Sequence, residues 1–270
     1  MEYLVASILG LVQGLTEFLP ISSSGHLAIV NLIFGHELAG GISFMFFLHI
    51  ATLIAAIIYF WDDIRGLLVC WLPKNKEMKK ERKLFIMLII VCLVTGPIGL
   101  ALEGRLEDMS NSLIWLACGF FCTTLVLFAA EWISRSHQES DLSDMTMPQA
   151  ALVGLFQGLA VVPGLSRSGA TISGGLMAGL SRVEATRFAF LVGLPIIAVG
   201  ALKDGVDMLQ GELILPPWSV SLLGFVIAGV SGYLAISWMI ATLKRIKLYW
   251  FGAYTALLGI VLLVVWAIGR

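Results

Sequence analysis

The sequence predicts an all-α polytopic membrane protein made of two inverted repeats, each a re-entrant helical hairpin followed by three transmembrane helices. Three observations lead there. Of 270 residues, 59% are hydrophobic and only 13% charged, and the mean hydropathy of +0.94 lies well outside the range of soluble globular domains. Apolar runs of about 20 residues, the length a bilayer core demands of a helix, recur along the chain. A gapless shift of 144 residues lays Ala6, Gly10, Gln13, Gly14, Ser22, Ser24 and Gly25 onto Ala150, Gly154, Gln157, Gly158, Ser166, Ser168 and Gly169. Residues 1–270 therefore read as one integral membrane domain, with repeat one about 1–140 and repeat two about 145–270.

The elements follow in order. The run from Tyr3 to Phe34 is broken in its middle by Pro20 and three serines, which leaves half-helices too short to span and predicts a re-entrant hairpin. It has no basic leader and carries Gln13 and Glu17, so it reads as mature structure and not as a signal peptide. Spans follow at Ile42 to Trp61, Leu84 to Leu102 and Ser112 to Ala130. A second broken run, Gln149 to Leu180, is the second hairpin, followed by spans at Phe188 to Leu202, Trp218 to Ile240 and Leu248 to Ile268.

Lys and Arg orient the bundle. The segment from Asp62 to Lys83 holds Arg65, Lys74, Lys76, Lys79, Lys80, Arg82 and Lys83 and is expected to be cytoplasmic. Alternate threading then brings Arg135, Arg182, Arg187, Lys244, Arg245 and Lys247 to the inner side and leaves Arg105, Lys203 and Arg270 outside. One hairpin plus three crossings ends opposite its start, so the second copy enters from the other side and the repeats are inverted. Trp61, Trp71, Trp218 and Trp250 fall near span ends, where interfacial anchors belong. Cys70, Cys92, Cys118 and Cys122 lack ligand spacing and read as packing thiols. The net charge of −1 is silent about partners; membrane lipids surround the chain, and no nucleic acid is expected.

Chemistry concentrates in the two breaks, QGLTEFLPISSSGH from Gln13 to His26 and QGLAVVPGLSRSGAT from Gln157 to Thr171. Ionisable groups at membrane depth cost about 2.5 kcal/mol or more, so Glu17, His26 and Arg167 require a function. Gln13 and Glu17, one turn apart, share a helix face and offer oxygen ligands to a hard cation. Each serine cluster follows a helix-ending proline and begins a new helix, whose free N–H groups and dipole favour an anion. Arg167 adds a fork that fits phosphate oxygens. Ser22, Ser24, Ser166, Ser168 and Thr171 are candidate phosphate contacts, although hydroxyls in membrane helices commonly bond backbone carbonyls. His49 is expected to bond a carbonyl and to stand behind the site at most. His36 and His137 read as ordinary loop residues, and Glu184 with Arg187 as a local ion pair.

These motifs closely resemble the bacterial undecaprenyl-pyrophosphate phosphatases of the bacitracin-resistance family. Gln13 to His26 is similar to that family's (E/Q)xxxE and SSxGH signatures, and Pro163 to Thr171 to its PGxSRSGxT signature. The resemblance extends over essentially the whole chain. It implies a phosphoanhydride hydrolase that converts undecaprenyl pyrophosphate to the monophosphate carrier lipid and inorganic phosphate, serving cell-wall synthesis and conferring bacitracin resistance. It also implies a bacterial cytoplasmic membrane location with the active site facing outward, and a divalent cation, Mg²⁺ or Ca²⁺. Carried over by motif are Glu17, Ser23, His26, Ser166, Arg167, Ser168 and Thr171, with Glu17 and Gln13 as metal ligands. Gln13 stands where many members have Glu, which lowers the site's negative charge. Either His26 is a base for Ser23 or water, or it is itself the nucleophile. A second copy of the chain is carried as a candidate partner. The competing expectation is a lipid-phosphate flippase or small-anion transporter, since inverted repeats with broken helices also build transporters.

Overall fold

The computed structural model describes residues 1–34, 41–136, 140–209, 217–243 and 245–269. His36, His137, Lys244 and Arg270 lie outside them. The described residues form helices α1 (Glu2–Phe18), α2 (Ser23–Phe34), α3 (Gly41–Tyr59), α4 (Trp61–Val69), α5 (Lys79–Leu102), α6 (Leu106–Ser110), α7 (Leu113–Ile133), α8 (Met147–Leu159), α9 (Arg167–Met177), α10 (Arg182–Leu209), α11 (Trp218–Leu243) and α12 (Tyr249–Ile268).

Five of these, α5, α7, α10, α11 and α12, are long and apolar enough to cross a membrane; α3 reaches that standard only together with α4, from which it bends by 76°. The chain is a multi-pass membrane protein. The sixth expected crossing, Ile42 to Trp61, thus ends at Phe60, and α4 turns away carrying Asp62, Asp63 and Arg65, groups that do not belong in hydrocarbon. Trp61, Trp71, Trp218 and Trp250 are all exposed at helix starts or ends.

Both broken runs are helix pairs. At about 1.5 Å per residue, α2, α8 and α9, of 12, 13 and 11 residues, fall short of a bilayer core of about 30 Å. α1 ends where Leu19 takes extended angles of φ −77° and ψ 147°, as a residue before proline must. Ser22 then turns with φ 71°, and α2 begins. In the second pair the turn falls on Gly164, whose φ of 84° suits glycine; a Cβ there would lie 2.5 Å from Leu116 O.

Small residues set the helix packing. A Cβ on Gly10 of α1 would meet Gly224 O of α11 at 2.6 Å, and one on Gly154 of α8 would meet Val91 O of α5 at 3.0 Å, so each pair approaches backbone to backbone. α1 packs on α11 and α8 on α5. The shift that carries α1 onto α8 also carries α5 onto residues 223–246, most of α11, so the two packings exchange.

Candidate active site

The two loop tips touch. Ser168 Oγ donates to Leu19 O at 2.8 Å, and a Cβ on Gly169 would lie 3.2 Å from Pro20. Thr123 of α7 supports the second tip from below: its hydroxyl accepts from Ser166 N at 2.9 Å and lies 3.0 Å from Gly164 O. Each tip opens its helix with a serine cap. Ser22 Oγ accepts from Gly25 N at 3.3 Å, and Ser166 Oγ from Gly169 N at 3.1 Å, which satisfies one free donor of each new helix.

Where the tips meet lies a cavity of about 260 Å³. Its polar side presents Glu17, Ser22, Ser23, Ser24, His49 and Arg167, and its apolar side presents Ile196, Ile197 and Ala201 of α10. Glu17 is the hub and is nearly fully buried. Its Oε1 pairs with Arg167 Nη2, while Oε2 accepts from Ser23 Oγ at 2.6 Å and from Gln13 Nε2 at 3.0 Å. Arg167 Nη1 donates to Gly193 O at 3.2 Å. The charge of each partner is thus compensated inside the protein, the condition on which a buried ion survives.

The structure brings together Gln13, Glu17, Ser23 and Arg167. It does not bring His26 to them. That ring turns to the other flank of α2, with Nδ1 2.7 Å from Ser22 O and Nε2 2.8 Å from the Tyr254 hydroxyl of α12. It stacks on Tyr254 and meets Phe120 edge-on. Ser166 and Ser168 are spent on cap and crossing contact, their hydroxyls 3.3 Å apart. Thr171 Oγ1 donates to Arg167 O at 2.7 Å and lies 3.4 Å from Gln157 Oε1. These three shape the loop that presents Arg167.

Sequence reasoning missed several groups. His49 lines the cavity itself, and the signal was its place in an apolar run, the same signal that selected Glu17. Tyr254 stands with Tyr249 in an apolar span and belongs to no motif. Arg187 forms the expected local pair with Glu184, at 3.9 Å, and also a closer one with Asp63 that ties α10 to α4. Glu131, almost fully buried, takes a bidentate bond from Arg182 at 2.7 and 3.0 Å and a third from Leu248 N at 2.9 Å.

Residues 6–261 match the family described as bacitracin resistance protein BacA. The chain belongs to that family. Among curated relatives, an undecaprenyl-diphosphatase of Bacteroides fragilis (strain YCH46) is 38% identical over 98% of both chains. One of Bacteroides thetaiotaomicron is 35% identical over 98% of this chain and 99% of its own. One of Mycobacterium sp. (strain KMS) is 36% identical over all of this chain and 98% of its own. The matched span includes both hairpin breaks and every described residue that lines the cavity.

Proposed function

We propose that this chain hydrolyses undecaprenyl pyrophosphate to undecaprenyl phosphate and inorganic phosphate. The observation that carries the reading is the Glu17 carboxylate, which holds the Ser23 hydroxyl on one oxygen and the Arg167 guanidinium on the other. A group that both accepts a serine proton and stores an arginine beside an apolar-walled cavity is equipped for phosphoryl transfer, which is chiefly positioning and charge neutralisation. The full-length relatives named undecaprenyl-diphosphatase support the substrate.

The incoming pyrophosphate draws Arg167 from Glu17 onto its equatorial oxygens. Ser23 Oγ attacks the terminal phosphorus as its proton passes to Glu17 Oε2, and the bond to the lipid phosphate breaks, with that phosphate leaving as the monophosphate. Glu17 yields the proton to solvent or to the leaving oxygen, then takes one from the water that attacks the phosphoserine and passes it to Ser23 Oγ as the Oγ–P bond breaks, which frees inorganic phosphate and restores both residues. His26 is a positioning residue. A carbonyl only accepts, so Nδ1 carries the hydrogen toward Ser22 O, and Nε2 of the neutral ring accepts from Tyr254. Both nitrogens are engaged, which argues against a phosphohistidine and leaves the imidazole as a strut for the serine turn.

A divalent cation fits the donors. Gln13 Oε1 is buried without a partner among the described residues and adjoins Glu17, and these two oxygens would hold Mg²⁺ or Ca²⁺. Among those residues no group of three His, Cys, Asp or Glu gathers, a set that suits Mg²⁺, which uses one or two carboxylates and completes its shell with phosphate oxygens and water. When bound, the ion supplies charge neutralisation on the phosphates.

The two halves are inverted repeats in the cytoplasmic membrane, with the cavity open to the outer side. Supporting this are the exchange of packings between α1 on α11 and α8 on α5, the tip-to-tip meeting of the hairpins and the basic run of the segment before α5. The deciding experiment measures phosphate release from prenyl pyrophosphate by purified protein in detergent, with and without chelator, for wild type and Arg167→Ala. Release that depends on Arg167 and on the metal is expected. No release by wild type, with uptake of labelled phosphate into proteoliposomes instead, would favour the transporter.

A further inference from the structure

A cavity of about 430 Å³ opens between the start of α5 and the start of α8, apart from the active site. Its rim is Lys79, Arg82 and Lys83, and its floor includes Ile86, Met87 and Met145; among the described residues no carboxylate lines it. Two of the cations are anchored. Arg82 gives Nε to Cys70 O at 2.7 Å and Nη2 to Asn75 O at 2.9 Å, and Lys83 gives Nζ to Ser143 O at 2.6 Å. A guanidinium has five N–H donors and an ammonium three, so both keep donors for a ligand, in positions already fixed. Less side-chain freedom is then lost on binding than at a loose surface lysine.

The same face of α5 continues into hydrocarbon. Positions 79, 82, 83, 86, 89 and 93 repeat at helical spacing and form one stripe, along which Ile86, Ile89 and Leu93 are exposed. The ligand that matches this stripe has a negative head at the helix start and an aliphatic chain running down the helix. A soluble anion would satisfy the cations and leave the apolar floor and stripe unused.

We propose that the cavity binds the headgroup of an anionic phospholipid, with an acyl chain laid along Ile86, Ile89 and Leu93. The bound lipid braces the base of the second hairpin. Lys83 already holds Ser143, and Gln149, in the first turn of α8, donates to Ala178 O just past α9 at 2.6 Å. Filling the cavity therefore ties α5 to both ends of the α8–α9 pair without entering the catalytic cavity.

The test titrates purified full-length protein in neutral detergent with phosphatidylglycerol, phosphatidylcholine or inorganic phosphate, following bound lipid by native mass spectrometry and stability by thermal unfolding. Phosphatidylglycerol is expected to bind and to raise the melting temperature. Lys79→Gln, at a side chain that makes no bond among the described residues, lowers that affinity about fivefold, and Lys79→Gln with Lys83→Gln about 25-fold, from the contribution of each cation near an anionic head. Lys247→Gln, a basic residue elsewhere, leaves it unchanged. Equal binding of the two lipids, or full phosphatidylglycerol affinity in Lys79→Gln, overturns the proposal. So does inorganic phosphate stabilising as much as phosphatidylglycerol, which would mark a soluble-anion site. If loss of the Ser143 bond unfolds the double variant, Lys79→Gln alone decides.

Discussion

Hairpin α1–α2 and hairpin α8–α9 turn by the same means: proline near the break, a residue at positive φ, and a serine that caps the following helix through the backbone N–H three residues on. Even the paired hydroxyls agree, with Ser22 and Ser24 at 3.3 Å and Ser166 and Ser168 at 3.3 Å. They part where the chemistry lies. Glu17, Ser23 and His26 of the first hairpin correspond to Val161, Arg167 and Ala170 of the second. What the hairpins share is therefore scaffold, and what differs is function. Of the four repeated serines, Ser22 and Ser166 cap their helices, and Ser24 and Ser168 pair with them, whereas Ser23 and Arg167, one helix start apiece, face the same carboxylate.

The sharpest way to break this contrast is to remove a residue of each kind. Ser23→Ala should lower phosphate release at least about a thousandfold, as loss of a nucleophile does, while Ser24→Ala stays within about tenfold. Equal losses would erase the division between scaffold and chemistry. Arg167→Ala should cost about 100- to 1000-fold. Arg167→Lys should recover little of it, because an ammonium cannot bond Gly193 O and a phosphate with one planar fork.

The scaffold can be tested through its glycines. A Cβ on Gly14 would press on backbone atoms of α11, at 2.5 Å from Ala228 O and 2.8 Å from Gly232 N, whereas one on Gly158 would meet the movable side chain of Ile98 at 2.6 Å. Overpacking costs about 1–3 kcal/mol, so thermal unfolding in detergent should find Gly14→Ala near the upper end and Gly158→Ala near the lower. The smallest effect expected is that of Tyr254→Phe. It removes one hydrogen bond to His26, worth about 1 kcal/mol, and should slow turnover about fivefold with little change in KM. A loss as large as that of Ser23→Ala would instead put His26 in the chemistry.

Much of the frame was legible in the chain. Pro20 and Pro163 mark both breaks, and α9 begins at Arg167, directly after its serine cap. The 144-residue shift carries the observed start of α2 onto that of α9. The composite pocket was legible too, because buried charge needs a partner and Glu17 and Arg167 were the pair at hand. Orientation about a helix axis was not. His26 and Ser23 lie three residues apart on α2, and only the fold tells which of them faces Glu17: Ser23 bonds that carboxylate, while His26 meets Tyr254, 228 positions away. Glu131 and Arg182 escaped for the same reason: each sat beside a span end where an interfacial charge is ordinary, and only the fold joins them to Leu248 N. The bend at Phe60 was hidden because the apolar run continues to the last residue before Asp62.

The central claim is that the two hairpins complete a single site through Glu17 and Arg167. A double-mutant cycle of Glu17→Gln and Arg167→Gln, read as kcat/KM for prenyl pyrophosphate hydrolysis, tests it most directly. Residues acting as a unit are not additive, so the double variant should fall within about tenfold of the poorer single variant. Losses that multiply would mean that the two side chains act independently, and the shared site would be contradicted.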